Sequence, residues 1–155
     1  MIDHVRHATH DTLEKRHREH EGYAYDRWDF VPKGEAEGCA VSLYHIPPGK
    51  AAYPYHYHHK NEEVFYIVSG KGQLRTPEGE RTVKAGDMLF FPASEAGAHK
   101  LTNISDSEPL VYLDFDTYHD LDVAVYPDSG KIGVWGKEIN QLYRKETAVD
   151  YYDGE

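Results

Sequence analysis

The sequence is poor in cysteine and in long apolar runs, and each shortage excludes a class of protein. Cys39 is the single cysteine among 155 residues, so no disulfide can form within the chain. The most apolar run, Val64–Val68, is far shorter than the run of about 20 residues that crosses a bilayer as a helix. We therefore expect neither a disulfide framework nor a membrane-spanning helix.

Positive charge is also scarce. The chain has 27 acidic and 17 basic residues, which gives a formal net charge of -10. A surface of this sign repels phosphate backbones and anionic lipids, so we expect no nucleic-acid partner and no membrane partner. The N-terminal residues MIDHVRHATH lack the apolar segment of a signal peptide, which favours a cytoplasmic location.

A group of metal-ligating residue types lies in the middle of the chain. His56 and His58 are two residues apart, so they share one face if the segment is a strand, and Glu63 follows closely. A later histidine, His99, lies in a second extended segment. Three imidazoles and one carboxylate suit Fe, Mn, Ni, Co or Zn better than Ca or Mg, which prefer more oxygen ligands. The sequence therefore predicts one divalent transition-metal site.

Two adjacent glutamates compete for the carboxylate position. Glu63 is in phase with the apolar residues Phe65 and Ile67 on the strand that follows. Glu62 would point to the opposite face. We therefore predict Glu63 as the ligand and Glu62 as a neighbouring polar group.

For several other polar residues we predict structural or surface roles rather than metal binding. His59 turns away from the face of the two metal-binding imidazoles and is expected at the rim, and Asn103 is expected to hydrogen-bond within the fold. The segment Met1–Gly22 contains five histidines but few apolar residues, so we expect a solvated helix or a loose arm.

Short strands at near-regular spacing favour an all-β sandwich or barrel. Predicted strands cover Cys39–Ile46, Glu63–Ser69, Gln73–Thr76, Arg81–Lys84, Met88–Phe91, His99–Ile104, Leu110–Phe115 and Val123–Tyr126. Helix is expected only near the termini, at the N-terminus and over Lys137–Arg144. We divide the chain into an N-terminal arm (1–35), a β-barrel (36–126) and a C-terminal extension (127–155).

The order of these residues resembles the two motifs of small single-domain cupins. The first motif matches Gly49, His56, His58, Glu63 and Gly70, and the second matches Gly86, Pro92, His99 and Asn103. In the second motif Ser94 stands where the family has glycine, and the loop Ala93–Ala98 is longer. The resemblance implies a double-stranded β-helix jelly roll in which His56, His58, Glu63 and His99 bind the metal.

The resemblance leaves the activity open, because one fold can carry many activities. We favour a metal-dependent isomerase of a small, oxygen-rich molecule, a sugar or a sugar phosphate. One alternative is an Fe(II) dioxygenase with an apolar pocket built from Phe65, Leu74, Phe90 and Leu101. The other is a non-catalytic module that binds a small ligand.

Further candidates follow from proximity to the first motif. Glu62 and His45 are candidate proton carriers, and Arg75 and Tyr55 are candidate substrate contacts. Open jelly rolls expose edge strands, so we expect a homodimer. The aromatic stretch Tyr23–Phe30, which includes Trp28, is predicted to lie against a partner's edge.

Overall fold

Thirteen strands run through residues 2–155, the part of the chain that the computed structural model describes. They are β1 (Lys15–His20), β2 (Tyr23–Val31), β3 (Cys39–Ile46), β4 (Tyr57–His58), β5 (Glu63–Ser69), β6 (Lys71–Thr76), β7 (Gly79–Lys84), β8 (Met88–Phe91), β9 (Lys100–Asn103), β10 (Leu110–Thr117), β11 (Leu121–Tyr126), β12 (Lys131–Gly136) and β13 (Asn140–Arg144). Single-turn 3-10 helices cover His10–Thr12, Glu95–Gly97, Pro127–Ser129 and Lys145–Thr147. Within residues 2–155, no helix has the length and apolar character needed to cross a membrane.

The strands form three antiparallel sheets. The large sheet has the order β1-β2-β3-β10-β5-β8, a second sheet has the order β13-β12-β11-β4, and a third has the order β7-β6-β9. Strands β3, β10 and β5 are neighbours although they are far apart in sequence, as crossovers between the two halves of a jelly roll require. The predicted all-β jelly roll is confirmed.

Inward-facing side chains of the large sheet change from apolar to polar along the strands. On β10 they are, in order, Leu110, Tyr112, Asp114 and Asp116, and all four are buried. The register places Tyr112 beside Ile67 of β5 and Asp116 beside Glu63 of the same strand. The apolar end of β10 therefore lies beside the apolar end of β5, and the polar end of β10 lies beside the polar end of β5. The barrel has an apolar closed end and a polar open end.

The apolar end contains the core. Its buried cluster comprises Tyr25, Tyr44, Ile46, Ala52, Phe65, Ile67, Leu74, Val83, Phe91, Leu101, Leu110 and Tyr112. Asn103 lies beside this cluster and donates hydrogen bonds from Nδ2 to the carbonyl oxygens of Ile46 (2.9 Å) and Glu108 (2.8 Å). Its Oδ1 accepts the backbone N–H of Ser105. The structural role predicted for Asn103 is confirmed.

The ends of the chain contain strands where helix was expected. The predicted helix over Lys137–Arg144 is wrong, because Asn140–Arg144 is strand β13 and pairs with β12. In the N-terminal segment, Lys15–His20 is strand β1, whose six side chains are all exposed. Backbone pairing with β2, rather than apolar burial, therefore holds it in place. The predicted division at residues 35 and 126 stays a prediction.

The aromatic stretch Tyr23–Phe30, which was expected to lie against a partner's edge strand, belongs to a strand that is paired on both sides. Strand β2 pairs with β1 on one side and with β3 on the other. The Trp28 ring is buried between the rings of His10 (centroids 5.8 Å apart) and His45 (4.7 Å). The predicted contact of Tyr23–Phe30 with a partner's edge is therefore corrected, because this chain itself occupies both edges.

Candidate metal centre

A cavity of about 540 Å³ lies at the polar end of the barrel. Charged residues in its lining are Arg27, Lys33, Glu63, Asp114, Asp116, Asp122 and Lys137. Aromatic residues in its lining are Tyr44, Tyr53, Tyr118, Tyr126 and Trp135, together with His56, His58 and His119. The cavity is large enough for a small-molecule ligand, and both polar and apolar surface line it.

The predicted metal ligands lie together at one side of this cavity. Ligand atoms of His56, His58 and Glu63 lie within 4.8 Å of one another, so these three residues could hold a metal ion. His99 lies beside the group, with its Nε2 3.3 Å from Glu63 Oε2, and a β-bridge joins it to His56. His58 Nε2 lies 3.8 Å from Glu63 Oε1. The fold thus brings together all four residues that the sequence singled out.

The tautomer of each imidazole is determined by the partner of its Nδ1 atom. These partners are Pro54 O, 2.8 Å from His56 Nδ1, Gly97 O, 2.9 Å from His99 Nδ1, and Asp122 Oδ2, 2.5 Å from His58 Nδ1. A carbonyl and an ionised carboxylate can only accept, so each Nδ1 carries the proton and donates it. Each Nε2 therefore keeps a free lone pair, which is the form that binds a metal ion.

Asp122 connects the metal centre to the second sheet. Its Oδ1 accepts the backbone N–H of Lys60 at 2.8 Å while its other oxygen accepts from His58. Although burial opposes a charge on His58, the carboxylates of Asp122 and Glu63 together raise its pKa. A hydrogen-bonded carboxylate behind a metal-binding imidazole orients the ring and increases its basicity.

The other two imidazoles are neutral at physiological pH. Burial, together with the neighbouring His58, lowers the pKa of His56 to about 4. Burial also holds the pKa of His99 well below its usual range, with His56 as the next cause. Neutral imidazoles and one buried carboxylate fit a divalent transition-metal ion, whose charge would offset the cost of burying Glu63.

The loop that carries His99 departs from the motif at Ser94, and a local turn shapes it. It forms a 3-10 turn over Glu95–Gly97. A Cβ placed on Gly97 would lie 2.0 Å from the Pro92 carbonyl oxygen, so only glycine fits at this point of the turn. The carbonyl of Gly97 is the one that orients His99. The longer loop still delivers the fourth imidazole.

A second group of carboxylates continues from Glu63. Carboxylate oxygens of Glu63, Asp114 and Asp116 lie within 4.8 Å of one another, and all three residues are buried. Lys33 extends from the loop after β2, and its Nζ lies 3.1 Å from Asp116 Oδ2. Burial and the neighbouring Asp116 raise the pKa of Asp114 well above its usual range. Within residues 2–155, Asp114 Oδ1 and Asp116 Oδ1 have no hydrogen-bond partner.

Sequence reasoning missed these acidic residues. Asp114 and Asp116 are in phase with Leu110 and Tyr112 in the run LVYLDFDT, so the alternation of β10 could have placed them on the inner face. Asp122 carried no comparable local signal, because it faces His58 only through the pairing of β11 with β4.

The two candidate proton carriers lie outside the cavity lining. Glu62 is exposed, and its backbone N–H donates to Thr117 Oγ1. His45 lies on the outer face of β3, where its ring packs against Trp28. Strand alternation explains both positions, since Glu63 and Tyr44 occupy the inward positions next to them. His59 is exposed, in line with the predicted rim position.

The two candidate substrate contacts also lie outside the cavity lining, and they contact each other. The guanidinium of Arg75 lies 3.9 Å from the ring centroid of Tyr55. It also forms two hydrogen bonds with the Asp128 carboxylate, at 2.6 and 3.0 Å. These contacts hold Arg75 outside the cavity, so its position does not support substrate binding at the metal centre.

Comparison with protein families matches residues 42–116 to the cupin domain family. An uncharacterized protein of Methanocaldococcus jannaschii is 29% identical over 76 residues, which cover 49% of this chain and 57% of that protein. The chain thus spans little more than half the length of this curated relative.

Solved structures share the fold over most of the chain. A protein of Acidithiobacillus ferrooxidans, named provisionally as a sugar phosphate isomerase, is 28% identical, with 90% of each chain covered and a TM-score of 0.75. A cupin-superfamily sugar phosphate isomerase of Silicibacter pomeroyi is 22% identical, with 92% of this chain and 95% of that chain covered and a TM-score of 0.79. A predicted oxalate decarboxylase of Thermotoga maritima is 19% identical, with 72% and 97% covered and a TM-score of 0.62. The last two similarities show the fold alone.

Replacing His58 with alanine should abolish stoichiometric metal binding. Metal analysis of the loaded wild type should give one divalent ion per chain, and saturating metal should raise its Tm, because an ion at about 100 Kd stabilises the folded state by about 2.7 kcal/mol. His58→Ala should lose both effects. His59→Ala, which removes an adjacent exposed imidazole, is the matched control and should keep both. Unchanged metal content in His58→Ala would contradict the site.

Replacing Glu63 with glutamine should change how the stability of the metal-free protein depends on pH. Burial, with Asp116 as the next cause, raises the pKa of Glu63 from 4.5 to about 7. The folded state therefore binds this proton more tightly than the unfolded state, and stability falls as pH rises through this window. In chelator, urea unfolding should show Glu63→Gln gaining about 3 kcal/mol over wild type between pH 5 and pH 8.

The adjacent variant Glu62→Gln provides the control for this comparison. Its side chain is exposed, so its difference from wild type should stay constant across the same pH range. An equally constant difference for Glu63→Gln would show that ionisation of Glu63 costs the folded state nothing.

Proposed function

Because residues 42–116 match the cupin domain family, we propose that the protein is a metal-dependent isomerase of a small sugar or sugar phosphate. His56, His58, Glu63 and His99 would hold the ion. The ion would supply a positive charge that polarises an oxygen of the ligand. The similarity to the Acidithiobacillus ferrooxidans protein supports this reaction class.

The observation that carries the proposal is the buried pair Asp114 and Asp116 beside the metal ligand Glu63. An isomerase moves a hydrogen between neighbouring carbons, so it needs a side chain that takes a proton and a side chain that returns one. Carboxyl groups in a water-poor cavity do this work when their surroundings separate their protonation states. Both residues line the cavity, and each keeps one buried oxygen without a partner among residues 2–155.

The two carboxyl groups have different surroundings and therefore different roles. Asp116 forms an ion pair with Lys33 at 3.1 Å, and its unpartnered Oδ1 is placed to accept a proton. Burial and the neighbouring Asp116 raise the pKa of Asp114 well above its usual range, which favours the protonated form of that carboxyl. Asp114 can therefore return a proton to the ligand, and Asp116 can receive one.

The dioxygenase alternative lacks the apolar pocket on which it depended. Phe65, Leu74 and Leu101 belong to the packed core at the closed end, and Phe90 is exposed on the outer face of β8. The cavity next to the imidazoles is lined instead by charged and phenolic side chains. A binding module without turnover would use the same cavity, so an activity measurement separates it from an isomerase.

Metal-loaded and chelated protein should differ in activity on a panel of aldoses, ketoses and their phosphate esters. We expect at least one member to be isomerised only by the loaded protein, as followed by NMR. Asp116→Asn should lower kcat by about 10²–10⁴, the range typical of a lost acid or base, without loss of metal. Metal-dependent thermal shifts without turnover would favour the binding module. Neither shift nor turnover, with metal confirmed, would contradict the proposed function.

We also propose that the protein is a homodimer whose subunits meet at the β8 edge of the large sheet. Met88 and Phe90 on this edge strand are 74% and 60% exposed, and Met88 is paired with Tyr66 of β5. An edge strand with an exposed apolar face favours association with another chain. Light scattering at micromolar concentration should give the dimer mass, and Phe90→Glu should shift it to the monomer. Leu142→Glu, on exposed strand β13, is the control, and a monomeric wild type would contradict the proposal.

A further inference from the structure

Two carboxyl groups of the large sheet and two aromatic rings of the second sheet line the cavity. Asp114 and Asp116 project from β10 of the large sheet. Trp135 lies on β12, and Tyr126, whose ring stacks on that of His56 with centroids 5.8 Å apart, ends β11. Carboxylates that accept from hydroxyl groups and aromatic rings that cover C–H faces are complementary to a polyhydroxylated carbon chain or ring.

The indole of Trp135 lies close against its own strand. A Cβ placed on Gly133 would lie 2.6 Å from the Trp135 ring, so the ring occupies the space that any other residue would fill. Glycine at this position therefore lets the ring lie against the backbone. Trp135 also lines the cavity, which makes it a platform on which a ligand can rest.

Every cationic side chain in the cavity lining already faces a carboxylate. Arg27 Nη2 donates to Asp29 Oδ2 at 3.0 Å, and Lys33 Nζ lies 3.1 Å from Asp116 Oδ2. Lys137 Nζ lies 2.9 Å from Asp120 Oδ1. Within residues 2–155, each cavity-lining lysine and arginine therefore has a carboxylate within 3.1 Å, and this carboxylate competes with a phosphate group for the cation.

Three buried side-chain atoms of the cavity lining have no hydrogen-bond partner among residues 2–155, and two of them are acceptors. The third, the donor Arg27 Nε, lies 2.7 Å from the Asp29 carboxylate. Asp114 Oδ1 and Asp116 Oδ1 are buried without a hydrogen-bond donor among residues 2–155. A buried acceptor that lacks a donor is costly, and a ligand that supplies the donor gains that energy. Hydroxyl groups can donate to the Asp116 carboxylate and to a protonated Asp114, which keeps acceptor capacity, whereas an ionised phosphate group only accepts and would face the Asp116 carboxylate.

Resting on the proposed function, we propose that the ligand is a neutral polyhydroxylated carbonyl compound, such as an unphosphorylated monosaccharide. Its hydroxyl groups donate to Asp114 Oδ1 and Asp116 Oδ1, and one of its C–H faces lies against Trp135. The cavity thereby selects free sugars over their phosphate esters, because it offers buried acceptors and carboxylate-paired cations.

Matched pairs of ligands test this selection directly. The probes are glucose, fructose, mannose and ribose, each compared with its own phosphate ester, on the metal-loaded full-length chain. The sequence has two tryptophans, so the variant Trp28→Phe leaves Trp135 as the only indole and its fluorescence reports on the cavity. We expect at least one free sugar to change this fluorescence with a Kd at least tenfold lower than that of its ester.

Substitutions test whether Asp116 and Trp135 cause the preference for free sugars. Asp116→Asn should raise the Kd of that sugar at least tenfold while the metal content stays at one ion per chain. Asp106→Asn, which changes an exposed aspartate before β10, is the matched control and should leave the Kd unchanged. Should Asp116→Asn fail to fold by circular dichroism, Trp135→Ala in the wild-type background provides the second variant. Titration calorimetry should show the same loss of sugar affinity in it.

Three results would contradict the inference. They differ in whether the proposed isomerase function would still hold. Tighter binding of a phosphate ester than of every free sugar would overturn the selection and leave the isomerase proposal intact. A second metal ion per chain, lost in Asp116→Asn, would show that the carboxylates hold a cation rather than hydroxyl groups. Absence of metal-dependent binding and turnover for both ligand classes would remove the proposed function itself.

Discussion

The metal centre depends on three hydrogen bonds that hold the Nδ1–H of each imidazole. Two of them are local, because Pro54 and Gly97 each offer a carbonyl two residues before the histidine that they orient. The third is long-range, because the Asp122 carboxylate reaches His58 only when β11 pairs with β4 through Ala124 and His58. The local bonds follow from the course of the chain, but the third requires that the second sheet be in place. Ligand geometry and tertiary structure are therefore coupled at Asp122.

The barrel accommodates buried charge by separating it from the core. The same strands that bury Ile67 and Tyr112 at the closed end bury Glu63, Asp114 and Asp116 at the open end. Buried carboxylates destabilise a fold unless cations or donors accompany them. Lys33 is one such cation, and a divalent ion beside Glu63 would be another. The apolar end stabilises the fold while the polar end keeps groups that are reactive because they are incompletely paired.

Local pattern predicted most of the strands and the four metal-binding candidates, and tertiary contacts decided what it missed. The shared face of His56 and His58 follows from strand alternation, which a sequence displays directly, and the alternation of β5 likewise places Glu63 on the same face as Phe65 and Ile67. A helix was predicted over Lys137–Arg144, but the pairing of Asn140–Arg144 with β12 makes this part of the segment a strand. Arg75 looked like a ligand anchor, yet Asp128, far away in sequence, holds it outside the cavity. Contacts of this kind leave no mark in the local sequence.

Net charge was a weak guide to the chemistry of the cavity. The overall value of -10 argues against anionic ligands, but a divalent ion would reverse the local balance next to Glu63. What distinguishes ligands at this site is hydrogen-bond polarity. The lysines and the arginine of the lining face carboxylates, which compete with an anionic ligand for them. Two of the three buried atoms without a partner among residues 2–155 are carboxyl oxygens of Asp114 and Asp116, and a ligand with hydroxyl donors satisfies them.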